Sequence, residues 1–164
     1  MIDLLRRAGI DVRVAGTESG AIEGAHGVRI VPDLTLSDTL DTGHVFDMIA
    51  LPGGWPGSEH LKNDTRLRST LKEHSRMGKY VAAICAAPIA LAEAGLLAGR
   101  RATSYPGFVE KMGDIRFSED PVVIDENIIT SRGPGTAMDF SLALIELLRG
   151  RAAREELEAG LMRP

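Results

Sequence analysis

Cys85 lies where an apolar run, residues 80–84, passes without a linker into a run of helix-forming residues, 86–94. The pattern predicts a strand that ends in a tight turn and continues as a helix, with Pro88 in the first helical turn, where its missing N–H is not needed. A thiol in such a turn faces a helix N-terminus, whose unpaired N–H groups favour the nucleophilic thiolate. A free cysteine is commonly only a small buried hydrophobic residue. Here the strand–turn–helix setting favours a nucleophile.

Composition limits the function classes open to this chain. With 164 residues, 44% of them hydrophobic, the chain is predicted to form one domain, residues 1–164. The net charge of −4 offers no basic surface for nucleic acid, and no apolar run approaches the roughly 18 residues that cross a bilayer. A single cysteine excludes an internal disulfide and a cysteine-rich zinc site, and it favours a reducing, cytoplasmic setting. We therefore expect no metal, no cofactor, no nucleic acid and no membrane contact.

Strand-like and helix-like segments alternate along the chain. Apolar or alternating runs predict strands at 10–15, 28–31, 46–51, 80–84, 99–104, 122–124 and 127–130. Helical patterns occupy 1–8, 34–40, 58–77, 86–94, 107–112, 136–148 and 151–161. This interleaving predicts an α/β fold with an open, mostly parallel sheet between helices. Sites in such sheets form at the carboxyl ends of strands, where residues 52–54, Cys85 and residues 131–133 fall.

Several stretches carry a resemblance to a known family. They are residues 6–10 with 14–16, 30–33, 51–54, 82–88 (AAICAAP) and 129–136 (ITSRGPGT), and they follow the family order. On these stretches the chain resembles the ThiJ/PfpI family, and within it the branch that contains the parkinsonism-associated protein deglycase and its bacterial homologues. The resemblance implies a flavodoxin-like fold, with a mostly parallel sheet sandwiched between helices and a nucleophile elbow at Cys85.

The resemblance also implies an activity. It indicates a cysteine-dependent hydrolase or lyase of the glyoxalase or deglycase type, acting on methylglyoxal, glyoxal or their early adducts. The implied site residues are Cys85 as catalytic nucleophile, Gly53, Gly54 and Ala86 as backbone donors to an oxyanion, and Arg7, His26, Tyr105 and Pro106 in the pocket. His26 is alternatively an ordinary surface histidine, and Trp55 either rims the pocket or anchors its loop. A homodimer, built partly on the first helix, is the implied assembly.

The chain departs from the family pattern in two places. The family's domain begins with an apolar strand and a turn whose glutamic acid hydrogen-bonds to the cysteine, and this chain starts downstream of both. We therefore expect an N-terminally truncated domain, through a start codon placed too late, a fragment or a genuinely shortened protein, with backbone groups left unpaired. Some relatives carry a histidine where Tyr105 stands, and Ala86 follows Cys85. No Cys–His dyad is apparent by motif, which disfavours proteolysis and glutamine hydrolysis.

Two alternatives to the enzyme remain open. The chain could be a redox-responsive stress protein or chaperone whose Cys85 is oxidised to the sulfinate without turnover of a substrate. The chain could also be an inert, partly folded fragment. Turnover of an α-oxoaldehyde indicates an enzyme, selective oxidation of Cys85 alone indicates a sensor, and the absence of both indicates a fragment.

Overall fold

The computed structural model describes residues 1–163. The α-helices of this part of the chain are α1 Ile2–Arg7, α2 Leu36–Asp41, α3 Gly57–Asn63, α4 Thr65–Arg76, α5 Pro88–Glu93, α6 Ala137–Arg149 and α7 Arg151–Gly160. Its strands are β1 Ala15–Gly16, β2 Ile22–Glu23, β3 Arg29–Ile30, β4 Leu34–Thr35, β5 Met48–Leu51, β6 Tyr80–Ile84, β7 Arg101–Ala102, β8 Arg116–Phe117, β9 Val122–Asp125 and β10 Ile128–Ser131. Short 3₁₀ helices lie at Ala25–Gly27, Pro106–Met112 and Pro134–Thr136. None of the helices in residues 1–163 is long and apolar enough to cross a membrane.

Four strands form the central sheet, in the order β5, β6, β10, β9. The first three are parallel, and β9 runs antiparallel as the hairpin partner of β10. Ala82 of β6 lies between Ala50 of β5 and Ile129 of β10. Outside this sheet, β1 pairs with β4 and β7 with β8, both in parallel, while β2 and β3 form an antiparallel hairpin. The predicted α/β class with a mostly parallel, flavodoxin-like sheet is confirmed.

Strand β6 is buried on both faces, which explains its unbroken apolar sequence. Val81 and Ala83 belong to the hydrophobic cluster on one face, and Ala82 and Ile84 belong to the cluster on the other. Strands enclosed on both faces are typically continuous apolar runs, because neither set of alternating side chains reaches water. The predicted strand 80–84 is therefore observed with the same bounds.

Helices cover the two faces of the sheet. On one face, Leu67 and Leu71 of α4 and Leu91 of α5 pack into the first cluster. On the other face, Leu5 of α1 and Phe140 of α6 pack into the second. All five side chains are buried, and full burial of such a side chain contributes about 1.5–3 kcal/mol. The two clusters hold β6, and hence the residue that follows it, in a rigid position.

The predicted helix at 58–77 is wrong in detail, because the structure contains two helices there. Helix α3 ends at Asn63 and α4 begins at Thr65, and Asp64 between them has extended backbone angles. The Asp64 carboxylate accepts a hydrogen bond of 2.8 Å from the Leu67 N–H, which is the N-cap interaction of a new helix. Because an aspartate at an N-cap stabilises the start of a helix, the long amphipathic segment 58–77 forms two helices that meet at Asp64.

Several predicted strands are longer than the observed ones. The alternating pattern at 10–15 predicts a strand of six residues, but only Ala15–Gly16 forms β1. The strand predicted at 99–104 is likewise observed only as β7, Arg101–Ala102. The pattern at 107–112 predicts one or two helical turns, and the structure has a 3₁₀ helix there, Pro106–Met112. Strand length is set by the partner as well as by the pattern, and β1 pairs only with the two residues of β4.

Burial of His74 predicts a loss of stability at acidic pH. His74 on α4 is 3% exposed, and its Nε2 has no hydrogen-bond partner in the described chain. Burial lowers the pKa of its imidazole below the ordinary value, while a hydrogen bond to the Phe46 backbone opposes the shift. Because the unfolded chain then binds the proton more readily, stability is complete above about pH 6.5 and is lost as pH falls through the lower folded pKa.

The measurement is the melting temperature, Tm, between pH 7.5 and 5. We expect the Tm of the wild type to fall more steeply than that of His74→Gln. His60→Gln, which changes an exposed histidine of α3, is the matched control and should follow the wild-type slope. Equal slopes for His74→Gln and wild type would show that His74 does not govern the acid sensitivity.

Candidate active site

Cys85 occupies a strained turn at the carboxyl end of β6. Its φ is +65°, in the left-handed region that non-glycine residues rarely adopt. The Cys85 N–H donates to the Ser131 carbonyl at 2.9 Å, and the Cys85 carbonyl accepts from the Tyr105 N–H at 2.9 Å. Such strain persists only where neighbouring structure enforces it, and here two backbone hydrogen bonds do so. The side chain is thereby held half-exposed at the edge of the sheet.

The helix after Cys85 begins later than the sequence pattern predicts. A turn spans residues 85–87, and α5 starts at Pro88, which takes the predicted first helical position. Helix α5 has only six residues. The helix-like run 86–94 is therefore longer than the observed helix, and residues 86 and 87 belong to the turn that was predicted after the strand.

The loop after β5 lies against the thiol. A Cβ atom added at Gly53 would be 2.5 Å from the Cys85 Cβ and 3.3 Å from its Sγ. Gly54 follows with φ at +101°, another conformation that favours glycine. Gly53 is needed for this close approach, because any side chain there would collide with the Cys85 Cβ and the Ile84 carbonyl oxygen, while Gly54 is favoured by its backbone angle alone.

Three backbone donors surround this turn. Within residues 1–163, the N–H groups of Gly53, Gly54 and Ala86 donate to no acceptor. Ala86 is buried, and both glycines are half-buried. Free amides in a partly dry setting are the donors that stabilise an oxyanion formed at an attacked carbonyl.

The Cys85 sulfur itself has few polar neighbours. Across residues 1–163, the free thiol forms no hydrogen bond through Sγ, and no cluster of three or more histidine, cysteine or acidic side chains could hold a metal ion. The described residues therefore include free backbone donors near this turn but no imidazole or carboxylate hydrogen-bonded to the thiol.

Tyr105 and Pro106 flank the cysteine turn. Besides its N–H bond to Cys85, Tyr105 lays its ring beside Gly133, where an added Cβ would be 3.3 Å from the ring Cδ2. The ring is 48% exposed. Pro106 begins the adjacent 3₁₀ helix. The structure thus places the Tyr105 backbone beside Cys85, and Pro106 follows Tyr105 in the chain; their roles in a pocket remain predictions.

Arg7 and His26 lie on exposed parts of the chain. Arg7 forms an ion pair of 2.8 Å with Asp3 along α1, and its side chain is 59% exposed. His26 sits in a 3₁₀ turn between β2 and β3 with φ at +66°. Neither forms a hydrogen bond to the residues around Cys85 in the described chain. Their roles in a pocket remain predictions.

Trp55 is partly exposed, and it also packs against neighbouring side chains of the described chain. Its ring lies 5.5 Å from the Phe108 ring, and Lys111 Nζ lies 5.0 Å from the Trp55 centroid. The indole is nevertheless 49% exposed. Of the two predicted roles for Trp55, at the rim of the pocket or as a loop anchor, the contacts with Phe108 and Lys111 support the anchor of the loop that carries Gly53.

Hydroxyl groups that were not predicted from the sequence as site residues form a network around Ser131, the hydrogen-bond partner of the Cys85 N–H. Ser131 Oγ donates to the Pro121 carbonyl at 2.8 Å and lies 2.7 Å from Thr136 Oγ1, which also bonds the Gly133 carbonyl. Ser131 is fully buried. Because its carbonyl accepts from Cys85 N–H, the network fixes the backbone that holds the strained turn. In the sequence, the pair could have been found from the two hydroxyl residues Ser131 and Thr136, which lie five positions apart within 129–136.

A cysteine in a strained turn, at the carboxyl edge of a mostly parallel sheet and beside free backbone amides, is the arrangement of α/β proteins that carry a cysteine at a strand–turn–helix elbow. Residues 1–147 match the sequence pattern of the DJ-1/PfpI family. The chain belongs to this family, as its resemblance to ThiJ/PfpI proteins predicted.

Similar proteins extend over nearly the whole chain. "Protein DJ-1 homolog B" of Arabidopsis thaliana is 47% identical over 168 residues, covering 100% of this chain and 38% of the relative. "Glutathione-independent glyoxalase DJR-1.2" of Caenorhabditis elegans is 39% identical over 150 residues, covering 90% of this chain and 78% of the relative. The crystal structure of Drosophila melanogaster DJ-1beta superposes with a TM-score of 0.94 at 38% identity, covering 99% of this chain and 88% of that one. The chain spans about two fifths of the length of the plant relative, 38%.

Proposed function

We propose that this chain is a cysteine-dependent enzyme that acts on reactive carbonyls, with methylglyoxal, glyoxal or their early adducts as substrates. The observation that carries the proposal is the placement of Cys85 Sγ against Gly53, beside the free amides of Gly54 and Ala86. The name of the nematode relative, a glutathione-independent glyoxalase, supports the same chemistry.

The first step is addition of the Cys85 thiolate to the aldehyde carbon. The sulfur forms a C–S bond, and the carbonyl π electrons move to oxygen, which becomes an oxyanion. The N–H groups of Gly54 and Ala86 are the donors available to that oxyanion, and preorganised donors of this kind typically contribute about 10²–10³-fold in rate. Protonation of the oxygen then gives a hemithioacetal.

The second step moves a proton. Loss of the proton from the former aldehyde carbon and protonation of the neighbouring carbon convert the hemithioacetal into a thioester of a 2-hydroxy acid. Water then hydrolyses the thioester, so that methylglyoxal plus water yields lactate and Cys85 is regenerated. Positioned general acid–base catalysis is typically worth about 10²–10⁴-fold. Because Cys85 Sγ forms no hydrogen bond to a carboxylate or imidazole within residues 1–163, we expect proton transfer to limit the rate.

The test is product analysis with no added thiol. Incubation with methylglyoxal, followed by proton NMR, should show one lactate formed for each methylglyoxal consumed, and glyoxal should give glycolate. Consumption of methylglyoxal without a hydroxy acid, accompanied by permanent mass increases on arginine and lysine peptides, would mean that the chain is merely modified by the aldehyde.

A redox-responsive role is the second candidate, and the half-exposed, unbonded thiol favours it. A thiolate attacks hydrogen peroxide, breaks the O–O bond and becomes a sulfenic acid with release of hydroxide, which takes up a proton from the solvent to give water. A second peroxide carries the sulfenic acid to the sulfinic acid. A protein that acts in this way requires no proton transfer to a carbon atom, so the limitation described for the enzyme does not apply.

Mild peroxide should therefore oxidise Cys85 first. We expect peptide mass spectrometry to show a gain of two oxygens on the Cys85 peptide before extensive oxidation of the methionines. Met162, which is 88% exposed, is the internal comparison. Oxidation of Met162 with an unchanged Cys85 would contradict the expectation and identify the thiol as a structural one.

A further inference from the structure

A pair of aromatic rings joins the two chain segments that flank Cys85. Trp55 stands two residues after Gly53, whose backbone packs against the Cys85 side chain. On the other segment, the Tyr105 N–H donates to the Cys85 carbonyl, and the Phe108 N–H donates to the Tyr105 carbonyl at 2.9 Å. The centroids of the Trp55 and Phe108 rings lie 5.5 Å apart, within the range of a favourable aromatic contact. The rings therefore connect both segments that contact the cysteine turn.

Lys111 places a positive charge over these two rings. Its Nζ lies 5.0 Å from the ring centroid of Trp55 and 5.1 Å from that of Phe108. An ammonium group within about 6 Å of an aromatic face is attracted to it. Among the lysines of residues 1–163, Lys62 and Lys79 form ion pairs with carboxylates, whereas Lys111 forms none. Its charge is therefore held over the rings and is available to an anion. We call Trp55, Phe108 and Lys111 the lysine rim.

The lysine rim lies close to the cysteine. Consecutive Cα atoms are about 3.8 Å apart, so the Cα of Trp55 is at most about 7.6 Å from that of Gly53. The Trp55 ring is 49% exposed, and Lys111 is exposed as well. A lysine side chain is flexible, and its charge acts through water over about 8 Å at physiological ionic strength. A substituent of a few carbon atoms on a substrate at Cys85 therefore comes under the influence of the ammonium group.

The substituent of the aldehyde is the part of the substrate that such a charge would distinguish. Methylglyoxal carries a methyl group beside its two carbonyl groups and glyoxal carries a hydrogen, and neither is attracted to a cation. A carboxylate on a short chain is attracted, and exposed ion pairs contribute up to about fivefold in affinity. The lysine rim therefore favours an anionic substituent over a neutral one of the same length.

We propose that the lysine rim selects 2-oxoaldehydes that carry a carboxylate on a short carbon chain, with Lys111 as the specificity-determining residue. The inference rests on the proposed function, because it concerns the substituent of the aldehyde that Cys85 attacks. The carboxylate lies away from the reacting carbon atoms, so the ammonium attracts it equally in the bound substrate and in the transition state. Such an interaction lowers KM and leaves kcat unchanged.

The test compares two five-carbon 2-oxoaldehydes that differ in charge. 4,5-Dioxopentanoate ends in a carboxylate, and 2-oxopentanal ends in a methyl group. The steps that convert methylglyoxal into lactate convert the first into 2-hydroxyglutarate and the second into 2-hydroxypentanoate. We expect kcat/KM to be about three- to fivefold higher for the anionic compound, through KM, and the difference to shrink at about 0.5 M sodium chloride. Equal kcat/KM values at low salt would overturn the proposal.

Substitutions of lysine separate the local charge from the overall charge. Lys111→Met keeps an unbranched apolar side chain over the rings, and it should remove the preference by raising KM for 4,5-dioxopentanoate about three- to fivefold. Lys111→Arg keeps the positive charge and should retain the preference. Lys72→Met is the matched control, because Lys72 is an exposed lysine on α4 and its loss changes the net charge equally. A preference that persists in Lys111→Met, or that disappears in Lys72→Met, would show that Lys111 does not determine it.

Trp55 provides a measurement that does not require turnover. It is the only tryptophan of the chain, so the intrinsic tryptophan fluorescence reports on the lysine rim. In Cys85→Ala, which cannot form the C–S bond, the Kd of 4,5-dioxopentanoate should be about three- to fivefold lower than that of 2-oxopentanal, and Lys111→Met should abolish this difference. Equal Kd values, or no saturable change with the anionic compound, would refute the selection. Absence of turnover of both compounds, together with the expected difference in Kd, would contradict the proposed function and support the lysine rim.

Discussion

Replacing Cys85 with serine is expected to abolish turnover of methylglyoxal while leaving the fold almost unchanged. The swap is nearly isosteric, and both hydrogen bonds that hold the turn, to Ser131 and from Tyr105, are made by the Cys85 backbone. A hydroxyl is a far weaker nucleophile than a thiolate unless an adjacent base activates it, and no base is hydrogen-bonded to the side chain at this position in the described chain. We expect kcat/KM to fall on the order of 10³-fold or more.

The measurement pairs lactate formation with a thermal melt. Cys85→Ser should keep its Tm within about 2 °C of the wild type. Substitution of a half-exposed side chain by one of nearly the same shape is expected to change the free energy of unfolding by no more than about 0.5 kcal/mol. Cys85→Ala is the matched variant, and it should be equally inactive. Lactate formation by Cys85→Ala at the wild-type rate would show that the thiol takes no part in the reaction.

Gly53→Ala is expected to damage both stability and activity. The new Cβ would lie 2.5 Å from the Cys85 Cβ and 2.9 Å from the Ile84 carbonyl oxygen. Neither atom is the end of a flexible side chain, so the loop must move away. Overpacking of this kind costs about 1–3 kcal/mol, which lowers Tm by roughly 2–12 °C in a domain of this size. Displacement of the amides from the thiol should cost on the order of 10²-fold in rate.

Gly57→Ala provides the control for this substitution. Gly57 begins α3 in the same loop region, and an added Cβ there meets nothing within 4 Å. Alanine is also the better helix former, by up to about 1 kcal/mol. We expect Gly57→Ala to keep activity and to melt at or slightly above the wild-type temperature. If Gly53→Ala behaved like Gly57→Ala, the close packing of this loop on Cys85 would not matter for function.

Much of the central sheet could be predicted from local sequence. The apolar run at 80–84 predicts β6 with its observed bounds, and the hairpin of β9 and β10 turns at Glu126, as the pattern predicts. The predicted helix 136–148 is observed as Ala137–Arg149. These elements are buried or strongly amphipathic, so their periodicity alone carries the information. The division of 58–77 at Asp64 was also readable in principle, because aspartate is a preferred N-cap.

The candidate site could be predicted only in outline. Parallel strands end at one edge of a sheet, which is why Cys85 and residues 52–54 were expected together and are found together. The left-handed φ of Cys85, its contact with Gly53 and the Ser131–Thr136 bond depend on the adjacency of β5, β6 and β10. No local pattern contains these distances.

By itself, the sequence determined the order of helices and strands, the parallel character of the sheet and the residue at its reactive edge, because these follow from side-chain periodicity and from interactions within a few residues. Only the tertiary structure decided which strand edges find partners. It shortened β1 to Ala15–Gly16, buried His74 and left one edge of Met48–Leu51 without a strand partner within residues 1–163. The physical reason is that a strand is completed by hydrogen bonds to residues far away in the chain, and their presence or absence cannot be read from the strand's own sequence.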